Sequence, residues 1–391
     1  PVSKLDPEAA KIIDAAIEAT GSIEKLKALE SFVINDYQSE IMGIKRRGKF
    51  SISFNEMLWR LDYADPAGKT EVCGAKMCWE KIGQVVVPGE KFLADVNKFY
   101  QPLFRGTLLW PLKEEAGWKI ASADDEKLGD KTYKALRVSA PGIEKEATFL
   151  FDPESHYLVA MRVEAKMGEN AGDMINEYLD FKDICGIKFH TKEKFTFLGQ
   201  HLATENLGDI KCQAVDPKIF EKPQQVADGT IVEKQTAPTT VACTKMKGPY
   251  EKTGETIGKL MGFMKKQQLP VAGAPMMIYL KGPPKVKKPK KFVTEICFPV
   301  AAKAPKKPKK KGKFVIKAMK PRKVLAAYGV GPYETKSPEL MKLLMAEAKK
   351  RKLKPAGPMC QISFMDPKET AAEELVSEMQ IPIKGGKKKK K

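Results

Sequence analysis

Two glutamates carry the chemistry most open to this sequence. Glu295 lies in VTEICF and Glu378 in VSEMQI, 83 residues apart, each between apolar neighbours in a short strand-like run. On a strand with one buried face such a carboxyl points either to solvent, the ordinary place of a sheet glutamate, or inward. Turned inward, it is a desolvated acid that is costly until a cation pairs with it. With aromatic walls it would select greasy cations by Coulomb attraction and cation-π contact. Other constellations are thin. Cys73 and Cys78 are too far apart for a CxxC pair, and His156, His190 and His201 form no zinc spacing with any cysteine. The seven cysteines read mainly as small buried apolar residues, with an isolated disulfide left open. There is no Ser-His-Asp set and no phosphate-binding glycine loop, so no cofactor and no metal are expected, and His190 reads as an ordinary strand residue beside Phe189.

The elements that must position these glutamates repeat. The tetrapeptide GPYE occurs at Gly248 and at Gly331, and the same offset of 83 aligns Pro238 with Pro321, Val241 with Val324 and Pro299 with Pro382. The middle slips by one residue, Ala272-Gly273 against Ala356-Gly357. The copies run over 231–300 and 314–383, a tandem duplication with a Lys-rich connector at 301–313. In each, an apolar strand enters the Gly-Pro turn and a helix follows, with Ile257, Leu260, Met261 and Met264, or Leu340, Leu343 and Leu344, turned inward. Ser337-Pro338 supplies a cap and first-turn proline for the second helix. Two more strands complete a βαββ unit, preceded by a weak strand at TIVEKQ or FVIKAM.

The N-terminal part has different grammar. Asp6-Pro7 opens an amphipathic helix with Ile12, Ile13, Ala16 and Ile17 on one face and Gly21 as its stop. Period-two runs follow: Phe50, Ile52 and Phe54; then Trp59, Leu61 and Tyr63. ATFLF and HYLVAMRV predict one hairpin across DPES, and GIKFHTKEKFTF and HLATENL predict another across LGQ. A helix in EKFLADVNKFYQPLF would cover the apolar face of this antiparallel sheet. Trp59, Phe99, Phe104 and Trp110 then either fill a core or line an apolar cavity for a lipid or acyl chain.

Charge divides the chain as sharply as pattern does. Residues 1–223 hold 31 Lys+Arg and 36 Asp+Glu, net −5; the remainder holds 38 and 13, net +25. Half of that basic charge sits in three Lys runs, at 281–291, 303–313 and 384–391. They lack interleaved aromatics and are rich in proline, which predicts solvated loops and a tail; no specific nucleic-acid partner is expected, while non-specific adhesion to an anionic surface stays open. No apolar run is long enough for a transmembrane helix.

Two resemblances sharpen these readings. The segment IIDAAIEATGSIEKLKALESFVI, the DPESHYLVAMRV hairpin, LDFKDICGIKFHTKEKF and VDPKIFEKP together resemble the outer-membrane lipoprotein-sorting (LolA-like) proteins. That implies an open antiparallel half-barrel plugged by helices, binding lipids or acylated proteins in the periplasm. GPYE, the Pro-Ala-Gly before a strand, DPKETAAEE and E-x-x-I-P-I closely resemble the GyrI-like, or AraC-type effector-binding, family. This implies a pocket between the two modules in which Glu378, with Glu295 as its mate, recognises hydrophobic, often cationic, small molecules. Tyr250, Tyr333, Tyr279 and Phe364 are the nearest aromatic candidates for its walls. Some members of that fold are hydrolases with a glutamate as general base, which keeps an enzymatic alternative open beside non-catalytic binding.

The reading as a whole is an α+β chain. A half-barrel occupies 1–223, a linker 224–230, a GyrI-like domain 231–383 and a Lys-rich tail 384–391. The expected setting is the periplasm or cell envelope, with a signal peptide removed ahead of Pro1; the cytoplasm is the runner-up.

Overall fold

The computed structural model describes residues 5–41, 43–65, 68–167, 170–283, 286–302, 305 and 309–384. Parts of the Lys runs at 284–285, 303–304 and 306–308, and the tail 385–391, lie outside the described residues. The chain forms two compact units, Pro1–Gln224 and Gln225–Lys391.

Unit 1 opens with helix α1 (Pro7–Thr20), where Asp6 accepts the Ala9 N–H at 2.8 Å and Ala9, Ile13, Ala16 and Ile17 are buried. A short α2 (Ile23–Lys27) leads into six strands: β1 (Ser31–Ile41), β2 (Ile44–Ser53), β3 (Leu58–Asp65), β4 (Lys69–Gly74), β5 (Cys78–Ile82) and β6 (Val85–Pro88). After α3 (Lys91–Arg105) and α4 (Trp110–Glu114) come β7 (Lys119–Leu128), β8 (Lys131–Ser139), β9 (Glu146–Phe151), β10 (Leu158–Met167), β11 (Asn170–Ile184), β12 (Ile187–Phe197) and β13 (Gln200–Lys211). All thirteen strands join one antiparallel sheet, in the order β6-β5-β4-β3-β2-β1-β13-β12-β11-β10-β9-β8-β7. Neighbours in sequence pair except β6 and β7, which are the two edges, and the non-local pair β1–β13 ties the two arms together, with Val33 opposite Lys211.

The turns are chemically specified. Asp152 accepts N–H bonds from Glu154 and Ser155 at 3.0 and 2.8 Å, closing the β9–β10 connection. Leu198 and Gly199, at φ 50° and 72°, form the two-residue β12–β13 turn whose positive φ matches strand twist. The main core gathers Ile13, Phe32, Leu103, Leu112, Phe149 and Met161 from helices and sheet.

Unit 2 runs β14 (Ile231–Gln235), β15 (Thr239–Lys247), α5 (Thr253–Lys266), β16 (Met276–Lys281), β17 (Val293–Pro299), β18 (Lys309–Lys311), β19 (Phe314–Met319), β20 (Lys323–Val330), α6 (Tyr333–Lys350), β21 (Cys360–Ser363) and β22 (Val376–Pro382). Its single nine-stranded sheet reads β14-β20-β22-β21-β16-β17-β15-β19-β18. The order is symmetric about the central β21–β16 pair, and each weak first strand crosses over: β14 pairs with β20, and β19 with β15. Helix α5 packs its Leu260 and Met264 on Ala242, Ile296 and Phe298, while α6 packs Leu340 and Leu344 on Leu325, Ala327, Met379 and Ile381.

Two expectations need correction here. The second helix starts at Tyr333, so Pro338 lies inside it. Instead of capping a later start, Ser337 Oγ donates to the Tyr333 carbonyl at 2.5 Å, one turn back. The second Lys run is not wholly a loop: Lys309–Lys311 form an edge strand paired with Phe314–Ile316 across Gly312 at φ 60°. Its three lysines are exposed, and charge on an edge strand discourages further pairing.

Candidate functional site

In unit 2 the two glutamates are buried and paired. Glu378 is 2% exposed and Glu295 9%. Glu378 stands opposite Tyr328 of β20 and Ile362 of β21. Lys234 Nζ, from β14, sits 2.8 Å from the Glu378 carboxylate and 3.1 Å from Tyr328 Oη, while Gln380 Nε2 donates to Glu378 Oε1 at 2.8 Å. Lys317 Nζ of β19 holds Glu295 in the same way at 2.7 Å. Burial opposes the charge on Lys234, yet the Glu378 carboxylate outweighs it and holds the ammonium above its ordinary pKa. Burial raises the Tyr328 hydroxyl too, with Glu378 adding to the effect.

Strand alternation separates the sequence-predicted aromatics from these acids. Ile296 and Phe298 of β17 pack with helix α5, so Glu295 between Thr294 and Ile296 faces the other side, with Cys243, Cys297, Ile278 and Cys360. Tyr279 stands opposite Thr294, on the helix side. Its hydroxyl donates to Gln361 Oε1 at 2.6 Å, and Ser337 Oγ lies 2.7 Å from the same oxygen. Tyr250 meets Tyr279 edge-on at 5.7 Å and Phe292 at 5.1 Å. Tyr333 donates to the Met365 carbonyl at 2.7 Å, and burial pushes its hydroxyl up to about 12. Phe364 is half-buried, its N–H bonded to Val376 O at 3.1 Å. The structure thus brings Tyr250 to Tyr279 and Glu378 to Lys234, but not the tyrosines to the carboxylates. Tyr328 and the two lysines were missed; the signal was that Lys234 and Lys317 share the 83-residue offset of the glutamates.

Unit 1 holds a cavity of about 240 Å³ under α3. Phe32, Phe50, Trp59, Phe104, Phe189 and Leu202 are among its apolar wall. Of the four aromatics read from sequence, Trp59 and Phe104 line it; Phe99 and Trp110 do not. Phe99 lies beneath Lys145 at 4.8 Å, and Trp110 beneath Arg105 at 5.3 Å, where cations cover their rings.

One side of the cavity is polar. Arg46 donates to Tyr63 Oη at 3.2 Å, and Tyr63 donates to Glu71 at 2.5 Å. Glu193 is bonded by His190 at 2.8 Å and by Asn176 at 2.7 Å, and Asn176 reaches Tyr100 Oη at 2.8 Å. Glu205 of β13 also lines the cavity. Burial, reinforced by the charge of Glu193, pushes its carboxyl up to about 8, against the pull of Tyr37 and Arg46. His190, read from sequence as an ordinary strand residue, is therefore part of this buried network. None of these acids was legible as a site, because each lies in a different strand among other charged residues.

Six cysteines are joined, Cys73–Cys78, Cys185–Cys212 and Cys243–Cys297, leaving Cys360 buried and free. Strand register brings the first and last pairs directly opposite each other, which sequence spacing did not show. Cys243, Glu295 and Cys297 lie within 4.8 Å of one another, but bonded sulfurs offer no thiolate to a metal. Among the described residues no helix is long and apolar enough to cross a membrane.

Residues 155–301 match the family model of the GyrI-like small molecule binding domain. The GyrI-like match begins in unit 1, at the β9–β10 turn, and ends just past β17, so it takes in Glu295 and Lys234 but not Glu378. Among curated proteins no sequence matches the chain. Similar solved structures include EcmrR in a cryo-EM complex with DNA, at 13% identity and TM-score 0.36, covering 40% of this chain and 58% of that one. A LolA superfamily protein from Nitrosomonas europaea, NE2245, is 13% identical at TM-score 0.37, covering 55% of this chain and 97% of its own. A putative outer membrane lipoprotein-sorting protein domain from Vibrio parahaemolyticus is 11% identical at TM-score 0.37 with the same coverages.

Proposed function

We propose that this protein is a non-catalytic binder of hydrophobic ligands, with a lipid or acyl chain as the ligand of unit 1. The observation that carries the reading is the 240 Å³ cavity walled by Phe32, Phe50, Trp59, Phe104, Phe189 and Leu202. Such a half-open apolar space gains from a hydrocarbon ligand at roughly 25 cal/mol per Å² buried. Its volume lies just under the roughly 300–1,000 Å³ of pockets that enclose drug-sized ligands, so it suits part of one chain. On this reading the thirteen-stranded sheet is a half-barrel and α3 its plug.

Unit 2, as a tandem duplication, would bind hydrophobic and cationic small molecules around Glu378 and Glu295. The family match, to a small molecule binding domain, supports that assignment. Since Lys234 and Lys317 already neutralise the two acids, a cationic ligand would displace a lysine, and Tyr328 would be its nearest aromatic contact. Tyr250, Tyr279 and Tyr333 would then shape the helix side of the sheet and support the site from behind. Three disulfides fit an oxidising compartment such as the periplasm.

The test is binding of an uncharged fluorescent long-chain alcohol to the whole chain. Saturable binding is expected in the parent and its loss in Ala203→Phe, which fills the cavity from β13. Binding that is unchanged by this substitution would place the ligand elsewhere.

A further inference from the structure

The cavity of unit 1 is apolar over most of its wall but acceptor-rich at its polar side. Glu71, Glu193 and Glu205 line it against a single guanidinium, Arg46. Arg46 and Glu71 are already joined through Tyr63. Glu193 takes its bonds from His190 and Asn176. Glu205 forms no ion pair among the described residues; burial and the charge of Glu193 raise its carboxyl, and the pull of Tyr37 and Arg46 does not offset them.

A second observation points the same way. Gln101 of α3 lines the cavity, is 4% exposed, and its Oε1 has no hydrogen-bond partner among the described residues. Its orientation is set by its neighbours: Asn97 Nδ2 donates to the Leu93 carbonyl at 2.8 Å, which leaves Asn97 Oδ1 to accept from Gln101 Nε2 at 2.8 Å. The Gln101 oxygen is thus left as an acceptor. A buried acceptor without a donor is destabilising, and a ligand that brings N–H groups removes that cost.

We propose that this cavity takes a single-chain amphiphile with a primary ammonium headgroup, the chain lying among Phe32, Trp59 and Phe104 and the ammonium held by Glu205 with Glu193 and Gln101. The inference rests on the reading of the cavity as a ligand site and adds the headgroup. A primary ammonium offers three donors and one positive charge, which is what three carboxyls, one guanidinium and an unpartnered amide oxygen lack. A fatty-acid carboxylate would instead meet like charge in a desolvated setting.

The experiment compares dodecylamine, dodecanol and laurate at pH 7 on the whole chain by calorimetry. The amine is expected to bind roughly tenfold or more tighter than the alcohol, as for a charge-assisted bond in a buried site, with laurate weakest. In Glu205→Gln, and separately in Glu193→Gln, the amine's advantage should shrink to about twofold or less, while dodecanol binds as before and so reports an intact fold. Equal binding of all three, or laurate tightest, overturns the headgroup assignment and leaves the apolar cavity standing. No binding of any of the three overturns both.

Discussion

Lys234, on the first strand of unit 2, holds Glu378, on its last, at 2.8 Å across 144 residues of sequence. The pair Lys317–Glu295 repeats the arrangement at 2.7 Å. Both exist because β14 pairs with β20, next to β22, and β19 pairs with β15, next to β17, so each of these strands brings its lysine to a buried acid.

Because Glu378 is almost wholly buried, breaking its pair leaves an uncompensated charge. Lys234→Met should lower unfolding free energy by about 1–3 kcal/mol, less than for a fully buried pair because Lys234 is 35% exposed. Lys234→Met with Glu378→Gln should cost less than the sum of the single changes. Urea denaturation of the four proteins in a double-mutant cycle measures the coupling; additive costs would show that the contact carries no net energy.

Removing Lys234 also leaves the carboxylate open to another cation. A hydrophobic cation such as tetraphenylphosphonium should stabilise Lys234→Met more than the parent, read as a larger thermal shift at equal concentration, and should do nothing for Glu378→Gln. An equal shift in all three would disconnect the cation from Glu378.

The Glu205 carboxyl, raised from 4.5 to about 8, makes unit 1 pH-sensitive. Between those values the unfolded chain has lost the proton that the folded chain keeps, so stability falls as pH rises through that window and levels off above it. Glu205→Gln should flatten this part of the profile. Denaturation midpoints at intervals from pH 5 to 9 test it; a parent profile as flat as the variant's would show that Glu205 is not desolvated.

Among the disulfides, loop length sets the expected ranking. Cys243–Cys297 closes a separation of 54 residues and Cys185–Cys212 one of 27, against 5 for Cys73–Cys78. Replacing the Cys243–Cys297 pair by Ala should therefore cost the most, about 2–4 kcal/mol on the chain-entropy model, and replacing Cys73–Cys78 the least. Thermal unfolding of the three double variants decides it.

The two GPYE glycines are conformationally required. Gly248 and Gly331 sit at φ 110° and 126°, and their N–H groups bond Phe292 O and Leu375 O at 3.1 and 2.8 Å. Gly331→Ala should cost roughly 1–3 kcal/mol from backbone strain alone, seen as a lower Tm with ligand-binding stoichiometry unchanged.

Much of the local structure was legible. The Asp6-Pro7 start of α1, the period-two strands and the hairpin across Leu198-Gly199 follow from capping, alternation and turn chemistry, which act over a few residues. The sequence also determined that Glu295 and Glu378 share one offset, and that Lys234 and Lys317 share it with them. What it did not determine was which way those side chains face and whom they meet. Period two assigns residues to faces without saying which face is inward, so Tyr279 and Glu295 sit on opposite sides of one sheet although both read as pocket residues. Only the pairing of β14 with β20 and of β19 with β15 put a lysine on each glutamate. Likewise, Glu71, Glu193 and Glu205 lie on β4, β12 and β13, dispersed in sequence. The pairing of β1 with β13 gathered them around one cavity, and burial there, a property of the assembled sheet and α3, is what raises the Glu205 carboxyl.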